Sequence, residues 1–143
     1  MQAQMLAPAA VLVAWSLIVL FWVGAARFPA MARAGIDAKT AKPGGRGQDL
    51  DGVLPDQVNW KAHNYTHLME QPTLFYALVV ILAMLGPTAM DTLMAWAYVA
   101  LRIVHSLWQA TVNRIPVRLV IFLFGTVCLI YLAVRALVLT LFA

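Results

Sequence analysis

The stretch NWKAHNYTHLMEQPTLFYALVVILAML, residues 59–85, decides the fold. It is long enough for one helix to cross the roughly 30 Å hydrocarbon core of a bilayer. Its second half, LFYALVVILAML, carries no charge. Its first half places Asn59, His63, Thr66, His67 and Glu70 within about 100° of arc at helical periodicity. A membrane span with one polar edge turns that edge to protein or to a wet cavity, because lipid cannot solvate it.

Three further apolar runs flank this one, at residues 5–26, 91–113 and 117–142. Each reaches the roughly 20 residues that a crossing helix needs. Composition agrees: 63% of the 143 residues are hydrophobic and 11% are charged. A soluble domain has about half and about a quarter. The expectation is an all-α membrane protein, one domain over residues 1–143, built as a bundle of four transmembrane helices. The start, MQAQMLAP, has no positive charge, so the first run reads as a retained helix and not a cleaved leader. Residues 28–58 form the long connection, whose centre, AKPGGRGQDLDG, has no apolar period. The other two connections are short, which makes neighbouring helices antiparallel.

The formal charge is +4. Arg27, Arg33, Lys39, Lys42, Arg46 and Lys61 gather at the first connection, and Arg114 and Arg118 at the third. By the positive-inside rule both connections are cytoplasmic and both termini face outward, in a bacterial inner membrane. Basic residues so placed set topology, so nucleic acid is not an expected partner. Cys128 is the one cysteine, and no Cys/His spacing suits a metal. The sequence has no internal repeat of the kind that inverted-repeat transporters carry.

The third run has a polar edge of its own: Arg102, His105, Ser106, Gln109 and Asn113 also span about 100°. Counted from Asn59 and Asn113, Glu70 and Arg102 both lie about 16 Å deep. His67 and His105 share the next rung, His63 and Gln109 the one after. The two edges are expected to face each other or a shared cavity, with Glu70 and Arg102 forming a compensated buried pair. Arg118 follows Pro116 in NRIPVRL, at the start of the fourth helix. There Arg114, Arg118 and the free N–H groups of a helix N-terminus form an anion-attracting corner, unless Arg118 is an interfacial arginine that snorkels and only fixes topology. Arg135, deep in the fourth run, is expected to snorkel or to pair between subunits.

HNYTHLMEQPTLFY, RIVHSLWQ and NRIPVR together resemble the MAPEG family, the membrane-associated proteins in eicosanoid and glutathione metabolism, and its bacterial-type members in particular. The resemblance covers roughly residues 59 to 135, and Arg-x-x-His followed by Arg-x-Pro-x-Arg is its most specific part. It implies a homotrimer with interfacial sites open to the cytoplasm. It implies glutathione as co-substrate, Arg118 as the residue that stabilises the thiolate, and His105 and Arg27 as glutathione contacts. Arg102, Gln109, Glu70, His67, His63 and Arg114 would complete the pocket. The chain departs from the family pattern in three places. Pro72 stands two residues after Glu70 instead of four, Gln109 stands where a tyrosine is common, and Leu119 follows Arg118 where a polar residue is frequent.

Two functional classes follow. One is a glutathione-dependent transferase or peroxidase acting on a lipophilic electrophile that arrives from the bilayer. The other is a non-catalytic lipid-binding scaffold of the same family. A small channel or transporter fits less well, because the outward halves LFYALVVILAML and LMAWAYVAL offer no continuous polar path.

Overall fold

The computed structural model describes residues 2–37 and 39–142. Among the described residues five α-helices follow one another: α1 (Gln2–Arg33), α2 (Asp56–Leu68), α3 (Gln71–Leu85), α4 (Ala89–Thr111) and α5 (Ile115–Leu141). A 3-10 turn, Gly47–Leu50, lies in the long connection. No strand occurs among the described residues. The α2 and α3 helices form one broken rod, so the bundle has four rods. The broken rod and α4 are central: both touch α1, and both touch α5.

Three rods, Gln2–Arg33, Asp56–Leu85 and Ile115–Leu141, are long and apolar enough to cross a membrane. The fourth, α4, has the length at 23 residues but is less apolar, because its inward face carries Asp91, Arg102, His105 and Gln109. Large apolar side chains cover the outside, including Phe21, Met84, Leu93, Phe124 and Leu141. That surface suits a protein whose solvent is lipid.

The α1 helix continues to Arg33, beyond the expected end near residue 26. Ala30, Met31 and Ala32 are good helix formers that extend it past the apolar run. It stops at Gly35, whose φ of +69° suits glycine, and the Ile36 N–H closes back on the Met31 carbonyl at 3.0 Å. Met5, Leu12 and Val19 lie seven residues apart and give α1 one buried seam. Phe75 and Tyr98 stack at 4.5 Å between centroids, joining α3 to α4. Tyr98 Oη donates to Gln71 Oε1 at 3.3 Å, and Gln71 Nε2 donates to Thr126 Oγ1 at 3.0 Å, which links the three rods by hydrogen bonds.

At the end away from the long connection, Asp91 is completely buried. It closes a capping box with Thr88 and accepts from Tyr131 Oη at 3.1 Å and from Arg135 Nε at 3.1 Å. Arg135 therefore pairs within its own chain, contrary to the expectation of snorkelling or of pairing between subunits. One α4 carboxylate and one α5 cation fix the register of the two helices.

Leaving one member of such a pair alone is costly, whereas removing both is often tolerated. Arg135→Met is expected to lower the thermal midpoint in detergent by several degrees. Adding Asp91→Asn should recover most of that loss, as scanning calorimetry of the three proteins would reveal. Equal midpoints for native and Arg135→Met would remove the pair's structural role.

Candidate functional site

The site begins with the break between α2 and α3. Pro72 has no N–H to offer the carbonyl of Leu68, so the helix cannot run through. The α2 helix ends at Leu68 and α3 restarts at Gln71. Residues before the break therefore follow the phase of α2. Asn64 and Leu68 form its buried face, while His63 and Thr66 look outward and His67 is half-buried between them.

The α4 edge is buried as the sequence suggested: Arg102, His105, Ser106 and Gln109 are all inside. Ser106 Oγ accepts from Asn64 Nδ2 at 2.7 Å and from Trp15 Nε1 at 3.0 Å, joining three rods. The middle rungs of the two edges meet, with the His67 and His105 rings 5.0 Å apart. Phe122 of α5 packs on both, at 5.6 Å from His67 and 6.1 Å from His105.

The deepest rung does not form. Glu70 belongs to the break, so it leaves the α2 phase that would aim it at Arg102. Its side chain is 60% exposed and accepts from His67 Nδ1 at 2.7 Å. Arg102 instead donates from Nη2 to the His67 carbonyl at 2.9 Å, and its guanidinium lies 5.9 Å from the Phe122 ring centre. Arg102 makes no ion pair among the described residues.

Arg118 is placed by the α4–α5 turn. Asn113 has a φ of +53°, and its N–H reaches back to the Trp108 carbonyl at 2.8 Å. Asparagine tolerates that left-handed conformation better than other side chains do. From there Asn113 Oδ1 accepts from Arg118 Nη1 at 2.6 Å and holds the guanidinium. Arg118 and His67 stand in the shared wall of two open cavities. One, of about 180 Å³, is completed by His105, Ile115, Leu119 and Phe122. The other, of about 280 Å³, is completed by Gln48, His63, Thr66, Glu70 and Gln109. Imidazoles and a cation thus line one side, and apolar groups of α5 line the other. Such a mixture suits an anionic or polarisable ligand with an apolar partner.

The residue profile that defines the MAPEG family matches residues 5–138. The chain belongs to the MAPEG family. No curated protein and no solved structure matches it at a significant level.

Six of the nine residues that the MAPEG resemblance suggested meet at these two cavities: His63, His67, Glu70, His105, Gln109 and Arg118. Three stand elsewhere. Arg102 lies behind the wall, fully buried. Arg114 is exposed at the start of α5 and lines neither cavity; its carbonyl accepts from Trp108 Nε1 at 3.2 Å. Arg27 is drawn away by the long connection, donating from Nη2 to the Gly47 carbonyl at 2.9 Å and to Asn59 Oδ1 at 3.4 Å. A Cβ on Gly47 would stand 2.7 Å from Arg27 Nη1, so any larger residue there would push the guanidinium aside. Arg27 lines a neighbouring cavity of about 240 Å³ that shares Gln48, His63 and Thr66 with the larger one.

Gln48, Thr66, Ile115 and Phe122 line the two cavities without having been singled out as candidates, although Thr66 had been placed on the polar edge. Phe122 was legible as the residue one helical turn after Arg118. Gln48 arrives from an aperiodic loop, and nothing in the sequence places it. Among the described residues no cluster of His, Cys, Asp and Glu is fit to hold a metal.

The left-handed turn at Asn113 separates two roles of that residue. Asn113→Gly is expected to keep stability within about 1 kcal/mol, and Asn113→Val to lose about 2 kcal/mol, from the left-handed penalty and lost hydrogen bond. Denaturant titration in mixed micelles measures both. Equal stability of the valine and glycine variants would contradict this reading of the turn.

Proposed function

We propose that this MAPEG protein is an integral membrane glutathione-dependent transferase or peroxidase acting on lipophilic electrophiles. The observation that carries the reading is Arg118, held by Asn113 at 2.6 Å in the wall between the two cavities. A free thiol has a pKa of about 8.5, so only a few per cent is thiolate at pH 7. A guanidinium beside the sulfur favours the anion. Lowering the pKa by about two units requires about 2.7 kcal/mol, within the range of one buried charge-assisted contact.

In this reading the thiolate sits against Arg118 and supplies the nucleophile. The polar cavity of His63, Thr66, Glu70 and Gln109 binds the peptide part: Glu70 takes an ammonium, and the imidazoles and Gln109 take amide and carboxylate oxygens. The smaller cavity, with Ile115, Leu119 and Phe122, receives the reacting end of the electrophile. Its apolar α5 wall suits a substrate that arrives from lipid. The family implies a working trimer with the cavity mouths at subunit contacts, and the basic charge of the connections supports a cytoplasmic opening for those mouths.

A second reading, a lipid-binding scaffold, is favoured by two nearly apolar grooves. One, of about 580 Å³, lies along α1 at Leu20, Phe21, Gly24 and Phe28. The other, of about 460 Å³, lies between α3 and α5 at Leu74, Leu78, Leu129 and Ile130.

Spectroscopic titration of the purified protein with glutathione separates the two. The transferase reading expects a thiolate absorbance band whose pH midpoint lies about two units below that of free thiol. Arg118→Ala should return the midpoint toward 8.5 or abolish the band. Absence of glutathione binding in the native protein would leave the scaffold.

A further inference from the structure

Arg102 is 1% exposed, lies inside the bundle and has no carboxylate partner among the described residues. An unpaired buried cation in a membrane protein requires some other source of negative potential. Its surroundings supply one. Pro72 denies the Leu68 carbonyl a partner, and the end of α2 presents its last carbonyls with the negative end of the helix dipole. From its own chain segment the His67 carbonyl is met by the Met69 cap N–H and by the Glu70 N–H at a long 3.4 Å, neither of which closes an α-helical bond. Arg102 Nη2 reaches the same oxygen at 2.9 Å. Basic side chains cap helix C-termini in this way at protein surfaces. Here the cap is internal and bridges from a different helix.

We propose that Arg102 is a positioning residue: it caps the broken end of α2 and so holds the His67–Glu70 turn in the wall of the pocket. The link is short. Arg102 binds the His67 backbone, the His67 ring stands 5.0 Å from His105, and His67 Nδ1 fixes the Glu70 carboxylate. Both His67 and Glu70 line the cavity that Arg118 walls. Arg102 itself lines neither cavity and touches no reacting group. The consequence for ligand affinity rests on the thiol reading of the pocket, whereas the cap itself does not.

The decisive variant is Pro72→Ala. It restores an N–H at position 72 and lets a continuous helix satisfy the carbonyls of residues 67 and 68 from within. A cap is needed only while the helix is broken, so Arg102 and Pro72 must be coupled. In the native background, Arg102→Met is expected to speed backbone amide exchange over residues 63–70 tenfold or more. It should also raise the Kd for glutathione at least tenfold, with the pH midpoint of the thiolate unchanged, since Arg118 is intact. In a Pro72→Ala, Glu70→Gln background, where the rejoined helix carries no carboxylate inward to pair with Arg102, the same substitution should change exchange less than threefold.

Equal effects of Arg102→Met in both backgrounds would overturn the cap. So would a shifted thiolate midpoint, which would put Arg102 at the sulfur. Should Arg102→Met fail to fold, recovery of folding on adding Pro72→Ala together with Glu70→Gln supports the cap, and continued failure overturns it. If the native protein binds no glutathione, the exchange measurement still decides the cap and only the thiol reading falls.

Discussion

Lipid offers no hydrogen bonds, and that constraint organises this bundle. A polar group below the membrane surface must turn to protein or to a wet cavity. The α4 helix carries most of the difficulty, since Asp91, Arg102, His105, Ser106 and Gln109 all lie on its buried side. Asp91, Ser106 and Arg102 are answered by different neighbours, while His105 and Gln109 line the two cavities. Asp91 is met by Arg135 of α5, Ser106 by Trp15 of α1 and Asn64 of α2, and Arg102 by the frayed end of α2. The central position of α4 follows from this, because no peripheral rod could reach so many partners.

The break at Pro72 shapes the site. A continuous helix over residues 59–85 would carry Glu70 inward and close its own backbone. Interrupted, it frees the His67 carbonyl for Arg102 and releases Glu70 to the open cavity, where it joins His67, Gln109 and Arg118. One missing N–H thereby exchanges a buried ion pair for a buried cap and an accessible carboxylate. Register at the far end contributes as well. The Asp91–Arg135 contact fixes how far α5 slides along α4, and so fixes the height of Arg118 relative to His105.

Much of this was legible in the residues. Hydropathy located four rods, and helical periodicity identified the α4 edge correctly, because α4 is unbroken and its phase holds from Arg102 to Gln109. The His67–His105 contact followed from helical phase and depth together. The expected Glu70–Arg102 pair did not, because a count at 100° per residue assumes an unbroken helix, and Pro72 resets the phase one residue after Glu70. Asn64 was missed for a related reason. It lies on the apolar side of α2, opposite the polar edge, and is needed there only because Ser106 faces it. The positions of Arg27 and Gln48 depend on the fold of an aperiodic connection, on which periodicity is silent. Family membership was legible from the Arg-x-x-His and Arg-x-Pro-x-Arg motifs, and the match over residues 5–138 extends it to nearly the whole chain.

The proposed chemistry rests on an arginine that prefers the sulfur anion to the thiol. Calorimetric titration in buffers of different ionisation enthalpy counts the protons released on binding, and comparison of glutathione with its S-methyl derivative isolates the sulfur. At pH 7 a stabilised thiolate predicts close to one proton released per site for glutathione beyond any released for the methylated peptide, since the free thiol is almost wholly protonated there. Identical proton counts for the two ligands would contradict it.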